Sequence, residues 1–105
     1  MTNVFFLMTD SINQPLVGSK VMLRPYDAPY FSGSYTTIGI PVVVYSDITG
    51  LALFPRVVQG IYRVDVFLPT TTNQLQNYAN EIFYIDVQET SGSTVNGINY
   101  RISGP

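Results

Sequence analysis

Histidine and cysteine are absent from this 105-residue chain, and Lys20 is its one lysine. Nucleophilic catalysis needs an activated group and a base to activate it, so a Ser-His-Asp triad or a Cys-His pair is excluded. The preferred side-chain ligands of transition metals are missing as well. No disulfide can compensate for a weak core, and folding must rest on packing alone. Charge is also scarce, at 11% of residues, about half the share usual in soluble proteins. Such a surface draws its polarity from Thr, Ser, Asn and Gln, and suits coverage by neighbours.

The formal net charge is -2. The five basic residues, Lys20, Arg24, Arg56, Arg63 and Arg101, are scattered along the sequence, whereas nucleic-acid binding calls for a basic patch. The longest apolar runs, such as 4–8 and 41–45, reach about a quarter of the roughly 20 residues that span a bilayer. Neither nucleic acid nor membrane is therefore an expected partner. The N-terminal "MTNVFFLMTD" lacks the basic region, long apolar run and cleavage site of a secretory leader. The expectation is a protein that stays in the cytoplasm where it is made, without export.

What is present is alternation. Apolar residues recur with period two, the mark of strands that bury one face. In "GIYRVDVFL", Tyr62, Val64, Val66 and Leu68 share a face while Arg63 and Asp65 take the other. In "EIFYIDVQE", Phe83, Ile85 and Val87 oppose Tyr84, Asp86 and Gln88. The same test predicts strands at 4–9, 19–24, 41–46, 51–54, 61–68, 82–88 and 95–102, separated by turn-forming clusters such as "SDITG", "PTTTNQLQN" and "TSGS". One helical turn fits 73–80. About seven short strands at this spacing predict an all-β fold, a single antiparallel β-sandwich domain over 1–105.

Candidate chemistry is thin. The seven acids, Asp10, Asp27, Asp47, Asp65, Glu81, Asp86 and Glu89, form no spaced pair of the kind hydrolases use. Asp65 and Asp86 are expected to face water from the polar sides of their strands. A calcium loop gathers several carboxylates in a short span, whereas "SDITG" offers Asp47 alone. Asp47 is expected to bond backbone N–H groups as an Asx-turn, with Gly50 supplying a conformation branched residues resist. Asp10 is expected to act similarly ahead of Pro15. Tyr62, two residues after Gly60, fits a tyrosine corner, its ring buried and its hydroxyl bonded to backbone upstream; a ligand-stacking ring is the alternative. The expectation is no enzyme, no cofactor and no metal.

The segment holding Tyr26, Tyr30, Phe31 and Tyr35 is rich in Pro, Gly and aromatics. Loops carry function more often than strands do. These rings either fold back over one end of the sandwich or form an external contact surface, and Tyr suits both uses.

"DSINQPLVGSKVML", followed by "YSDITGLALFPRVVQGIYRVDV", resembles the carboxypeptidase-regulatory-like, CNA-B-like and transthyretin-like group of immunoglobulin-type β-sandwiches. The resemblance runs through Asp10, Pro15, Gly18, Val21 and Leu23, then Asp47 and Gly50, then Ala52, Phe54 and Val57, and finally Gly60, Tyr62 and Val64. It covers residues 9–68 and implies an immunoglobulin-like fold. Members of the group serve as stalks, adhesive or accessory modules, hormone carriers and decorations on phage virions. Some carry an internal Lys-Asn crosslink, but alternation around Ser19, Val21 and Leu23 turns Lys20 outward. The transthyretin-related hydrolases depend on histidines, which this chain lacks.

The resemblance, low charge and absent catalytic set imply a structural subunit of a virion: a tailed-phage capsid decoration, or a head, collar or tail accessory. Its expected partners are other virion proteins and copies of itself. The alternative is a carbohydrate- or cell-surface-binding module, in which Tyr26, Tyr30, Phe31 and Tyr35 stack on sugar rings beside Asp27 and Ser32. The segments "NVFFLM" and "INYRI" are expected near sheet edges, where a strand can be shared between subunits.

Overall fold

A computed structural model describes residues 2–9, 12–32, 35–37, 39–67, 81–88, 90–95 and 97–103. The predicted helical turn at 73–80 and the turn role of Asp10 lie outside them. The strands are β1 (Thr2–Leu7), β2 (Lys20–Pro25), β3 (Tyr30–Ser32), β4 (Tyr35–Thr37), β5 (Val42–Tyr45), β6 (Leu51–Val57), β7 (Gly60–Phe67), β8 (Glu81–Val87), β9 (Ser91–Val95) and β10 (Ile98–Ser103). Two four-stranded sheets result, in the orders β6-β1-β10-β9 and β5-β2-β7-β8, with β3-β4 as a separate hairpin. Every pairing is antiparallel.

The sheets close because alternation gives the strands at their centre an apolar side. Thr2, Val4 and Phe6 of β1 point inward, as do Ala52 and Phe54 of β6 and Ile98 and Ile102 of β10. From the other sheet come Val21 and Leu23, Tyr62, Val64 and Val66, and Phe83, Ile85 and Val87, all in one continuous cluster. Phe6 sits at its centre and is fully buried. Its ring meets Phe54 edge-on at 5.8 Å within its own sheet and Phe83 at 6.1 Å across the interface. Burying such a ring is worth about 1.5–3 kcal/mol before its edge-to-face geometry is counted.

Three departures from the sequence pattern have local causes. Residues 95–102 do not form one strand: β9 and β10 make a hairpin, and Ser and Gly of the presumed turn "TSGS" enter β9. The pairing supplies a backbone ladder where the side chains carry no alternation. The aromatic segment is a short hairpin, β3-β4, and not a loop. β6 continues past Phe54 through a bulge at Pro55 and Arg56, where the register against β1 slips and Arg56 takes φ 59°. The Arg56 N–H then bonds the Asn3 side chain at 3.2 Å.

β1 and β10 are not edges. They pair with each other in the middle of their sheet, from Asn3 opposite Ser103 to Leu7 opposite Asn99. Among the described residues, the free edges are β6, β9, β5 and β8.

Candidate functional site

The turn after β5 is built on one carboxylate. Oδ1 of Asp47 accepts from the Thr49 hydroxyl at 2.6 Å, the Thr49 N–H at 2.9 Å and the Leu51 N–H at 3.1 Å. The same bonds, the Thr49 hydroxyl first, hold the carboxyl below its usual pKa range. Gly50 closes the turn at φ 80°, its N–H on the Asp47 carbonyl and its own carbonyl on the Met8 N–H at 2.9 Å. A Cβ at Gly50 would fall 2.5 Å from the Met8 oxygen and 3.1 Å from Pro15. The Asx-turn expected from sequence is thus also a tie between β1 and the β5-β6 connection.

Tyr62 is buried, and its hydroxyl donates to the Val58 carbonyl at 2.6 Å. That bond, four residues upstream and away from solvent, matches the tyrosine corner and leaves the ring to the core. The chain approaches closely at Gly60 because the Tyr30 ring lies against it: a Cβ there would sit 2.6 Å from that ring.

The predicted contact set, Tyr26, Tyr30, Phe31 and Tyr35, divides. Tyr30 turns inward, its ring 5.6 Å from that of Tyr62. Its hydroxyl accepts from the Asp27 N–H at 3.0 Å and donates to the Ile61 carbonyl at 2.6 Å. It caps one end of the sandwich, beside the cis Ala28–Pro29 peptide. Tyr26 instead stays 63% exposed and packs edge-on against Tyr84 at 5.2 Å. The side chains of Phe31 and Tyr35 lie outside the described residues.

Tyr26 and Tyr84 lead onto a surface that a linear reading of the sequence does not assemble. On the outer face of the β5-β2-β7-β8 sheet, register aligns Val43, Met22, Asp65 and Ile82 in one row. Tyr45, Lys20 and Phe67 form the row on one side, and Arg24, Arg63 and Tyr84 the row on the other. Val43, Tyr45, Ile82 and Tyr84 are between 41% and 61% exposed. Exposed large apolar side chains thus line both edge strands of this face, and exposed apolar patches mark interaction sites in soluble proteins.

Charge on this face is folded down against apolar neighbours. Asp65 is only 6% exposed, contrary to its expected place in solvent. The cause is Arg63, which lies over it with Nε 2.8 Å from Oδ1 and Nη2 3.2 Å from Oδ2. Such a bidentate pair holds the carboxylate while Met22 and Ile82 flank it. Lys20 faces outward as expected, its ammonium 5.0 Å over the Phe67 ring. Arg24 reaches the Met22 sulfur at 3.5 Å. Three of the five basic residues, scattered in sequence, thus share one sheet face.

The opposite sheet also shows an apolar strip, with Phe5 and Leu7 of β1 beside Leu53 and Leu51 of β6, and Arg101 4.9 Å over the Phe5 ring. A half-open apolar pocket of ≈ 130 Å³ opens between β5 and β6, lined by Leu23, Pro25, Val42, Phe54, Pro55 and Tyr62 among others. Among the described residues no three His, Cys, Asp or Glu side chains gather around one metal position, and no helix is long and apolar enough to cross a membrane. Compared with known proteins, the chain matches no family model, no curated protein and no solved structure.

Proposed function

We propose that this protein is a non-enzymatic structural subunit of a viral particle, a tailed-phage capsid decoration or a head, collar or tail accessory. It acts through protein-protein contacts and has the immunoglobulin-like form of the β-sandwich. The observation that carries the reading is the outer face of the β5-β2-β7-β8 sheet, where Val43, Tyr45, Ile82 and Tyr84 are exposed together. Interfaces concentrate aromatic residues, Met and Arg and deplete free charge at their centre, and Met22, Arg63 and the neutralised Asp65 fit that composition. The viral setting draws on the family resemblance of residues 9–68, and the immunoglobulin-like form on the same residues together with the corner at Tyr62.

The test is co-sedimentation with isolated capsids and tails. Saturable binding is expected, and Tyr84→Lys should abolish it, whereas Leu53→Lys on the opposite sheet should not. A protein that stays in the supernatant with every particle fraction would end the proposal. The carbohydrate-binding reading keeps only Tyr26 as a described open ring of its set, because the ring and hydroxyl of Tyr30 are engaged within the chain. A glycan array should accordingly be blank.

A further inference from the structure

Three of the four sheet edges are blunted. β6 has Pro55 and the Arg56 bulge, β8 has Glu81 and Asp86, and β9 is Ser-Gly-Ser-Thr-Val. β5 has none of these protections. It is Val-Val-Val-Tyr, uncharged, with Val42 55% and Tyr45 61% exposed. An edge of that kind is a template for another strand.

The hydrogen-bond phase of this edge is fixed. Ser46 donates its N–H to the Ser19 carbonyl at 2.8 Å and accepts from the Gly18 N–H at 3.0 Å, so its main chain turns toward the β2 side. Alternation along the antiparallel ladder turns Val44 and Val42 the same way, and Val43 and Tyr45 the opposite way. The N–H and C=O groups of Val43 and Tyr45 therefore point off the free edge.

We infer that β5 pairs antiparallel with β5 of a second copy of this chain, about a twofold axis passing through Val44. This register sets Val43 opposite Tyr45 of the partner subunit, and the reverse, so every outward main-chain group of these two residues gains a bond. Centring on Val43 instead would set Tyr45 opposite a proline, Pro41, which lacks an N–H, and would leave the Tyr45 carbonyl unmatched. The chosen register also makes two cross-strand aromatic–valine pairs, a favourable combination. Exposed Ile40 and Ile48 each stand four residues from Val44 and flank the contact on both sides. The nearest outer-face charge, Lys20 on β2, lies three strand spacings from its symmetry mate, roughly 14 Å, beyond the Debye length of about 8 Å. A twofold, self-complementary edge satisfies all its own groups and so favours a second copy over a foreign strand. The contact is small, as weak and reversible interfaces are.

The inference rests on the reading of the protein as a contact subunit and joins two outer faces into one eight-stranded surface. It is tested by analytical ultracentrifugation across micromolar to millimolar concentrations. Wild type should dimerise reversibly. Val43→Pro removes an outward N–H without touching the β2-β5 ladder and should weaken association by roughly tenfold or more. If that variant loses its far-ultraviolet circular dichroism, Val43→Lys serves in its place. Val44→Cys supplies a unique thiol at a non-hydrogen-bonded pair, where Cα atoms about 4.5 Å apart suit a disulfide. It should oxidise to a covalent dimer, and Val17→Cys, exposed in a turn, should not. A monomer at all concentrations, an unaffected folded Val43 variant, or equal crosslinking at both positions would overturn the inference. Particle binding by a wild-type monomer sinks the edge pairing alone, and a dimer that ignores every particle sinks the proposed function alone.

Discussion

Removing one oxygen from Tyr62 and from Tyr30 should have unequal consequences. Tyr62→Phe keeps the ring in the core and deletes the hydroxyl that donates to the Val58 carbonyl. Tyr62 and Val58 are both buried, so the carbonyl loses its partner where water does not replace it. Orphaning a buried acceptor costs about 1–3 kcal/mol. For a domain of this size each kcal/mol moves the melting temperature by about 4–8 °C, so a drop of about 10 °C is expected. Tyr30→Phe deletes two bonds, yet the Ile61 carbonyl keeps the Tyr26 N–H at 2.9 Å and the Asp27 N–H can turn to solvent. Its expected loss is below about 1 kcal/mol. Urea titration with matched m-values reads both variants directly. Equal losses, or a Tyr62→Phe loss below about 0.5 kcal/mol, would refute the assignment of Tyr62 as a buried anchor.

Gly60→Ala drives a methyl into the Tyr30 ring and places a side chain at φ 157°, and should cost about 1–3 kcal/mol; a double-mutant cycle with Tyr30→Ala should recover the part due to the ring and leave the part due to the backbone. Arg63→Met leaves the covered Asp65 carboxylate without its partner and should cost about 2 kcal/mol, part of which the added change Asp65→Asn should restore, as read by thermal melts. Asp47 ionises at lower pH in the folded chain than in the unfolded one, so its contribution is present above about pH 4 and lost as pH falls through the depressed value. Wild type should therefore exceed Asp47→Asn in melting temperature at neutral pH, and the gap should close in acid; a gap that widens in acid would contradict the turn's electrostatics.

The Asx-turn and the corner were legible because each is a local arrangement: a side chain bonding backbone within a few residues needs only the right neighbours in sequence. The contact face was not. Val43, Met22, Asp65 and Ile82 come from four strands, and nothing in their spacing reveals that register aligns them. Asp65 illustrates the difference, since alternation placed it correctly on the outer side but could not say that Arg63 would cover it. The β9 strand was missed because Ser and Gly read as turn chemistry, and only pairing with β10 overrode that preference.

By itself the sequence determined the class of fold, since period-two burial is written into each strand, and it determined what chemistry the chain lacks, since residues that are absent cannot be supplied by folding. The tertiary structure alone decided which strands are edges, that Tyr30 turns inward while Tyr26 stays exposed, and that three scattered basic residues share a face. Those outcomes depend on strand order and register, which are set by contacts between residues far apart in the chain.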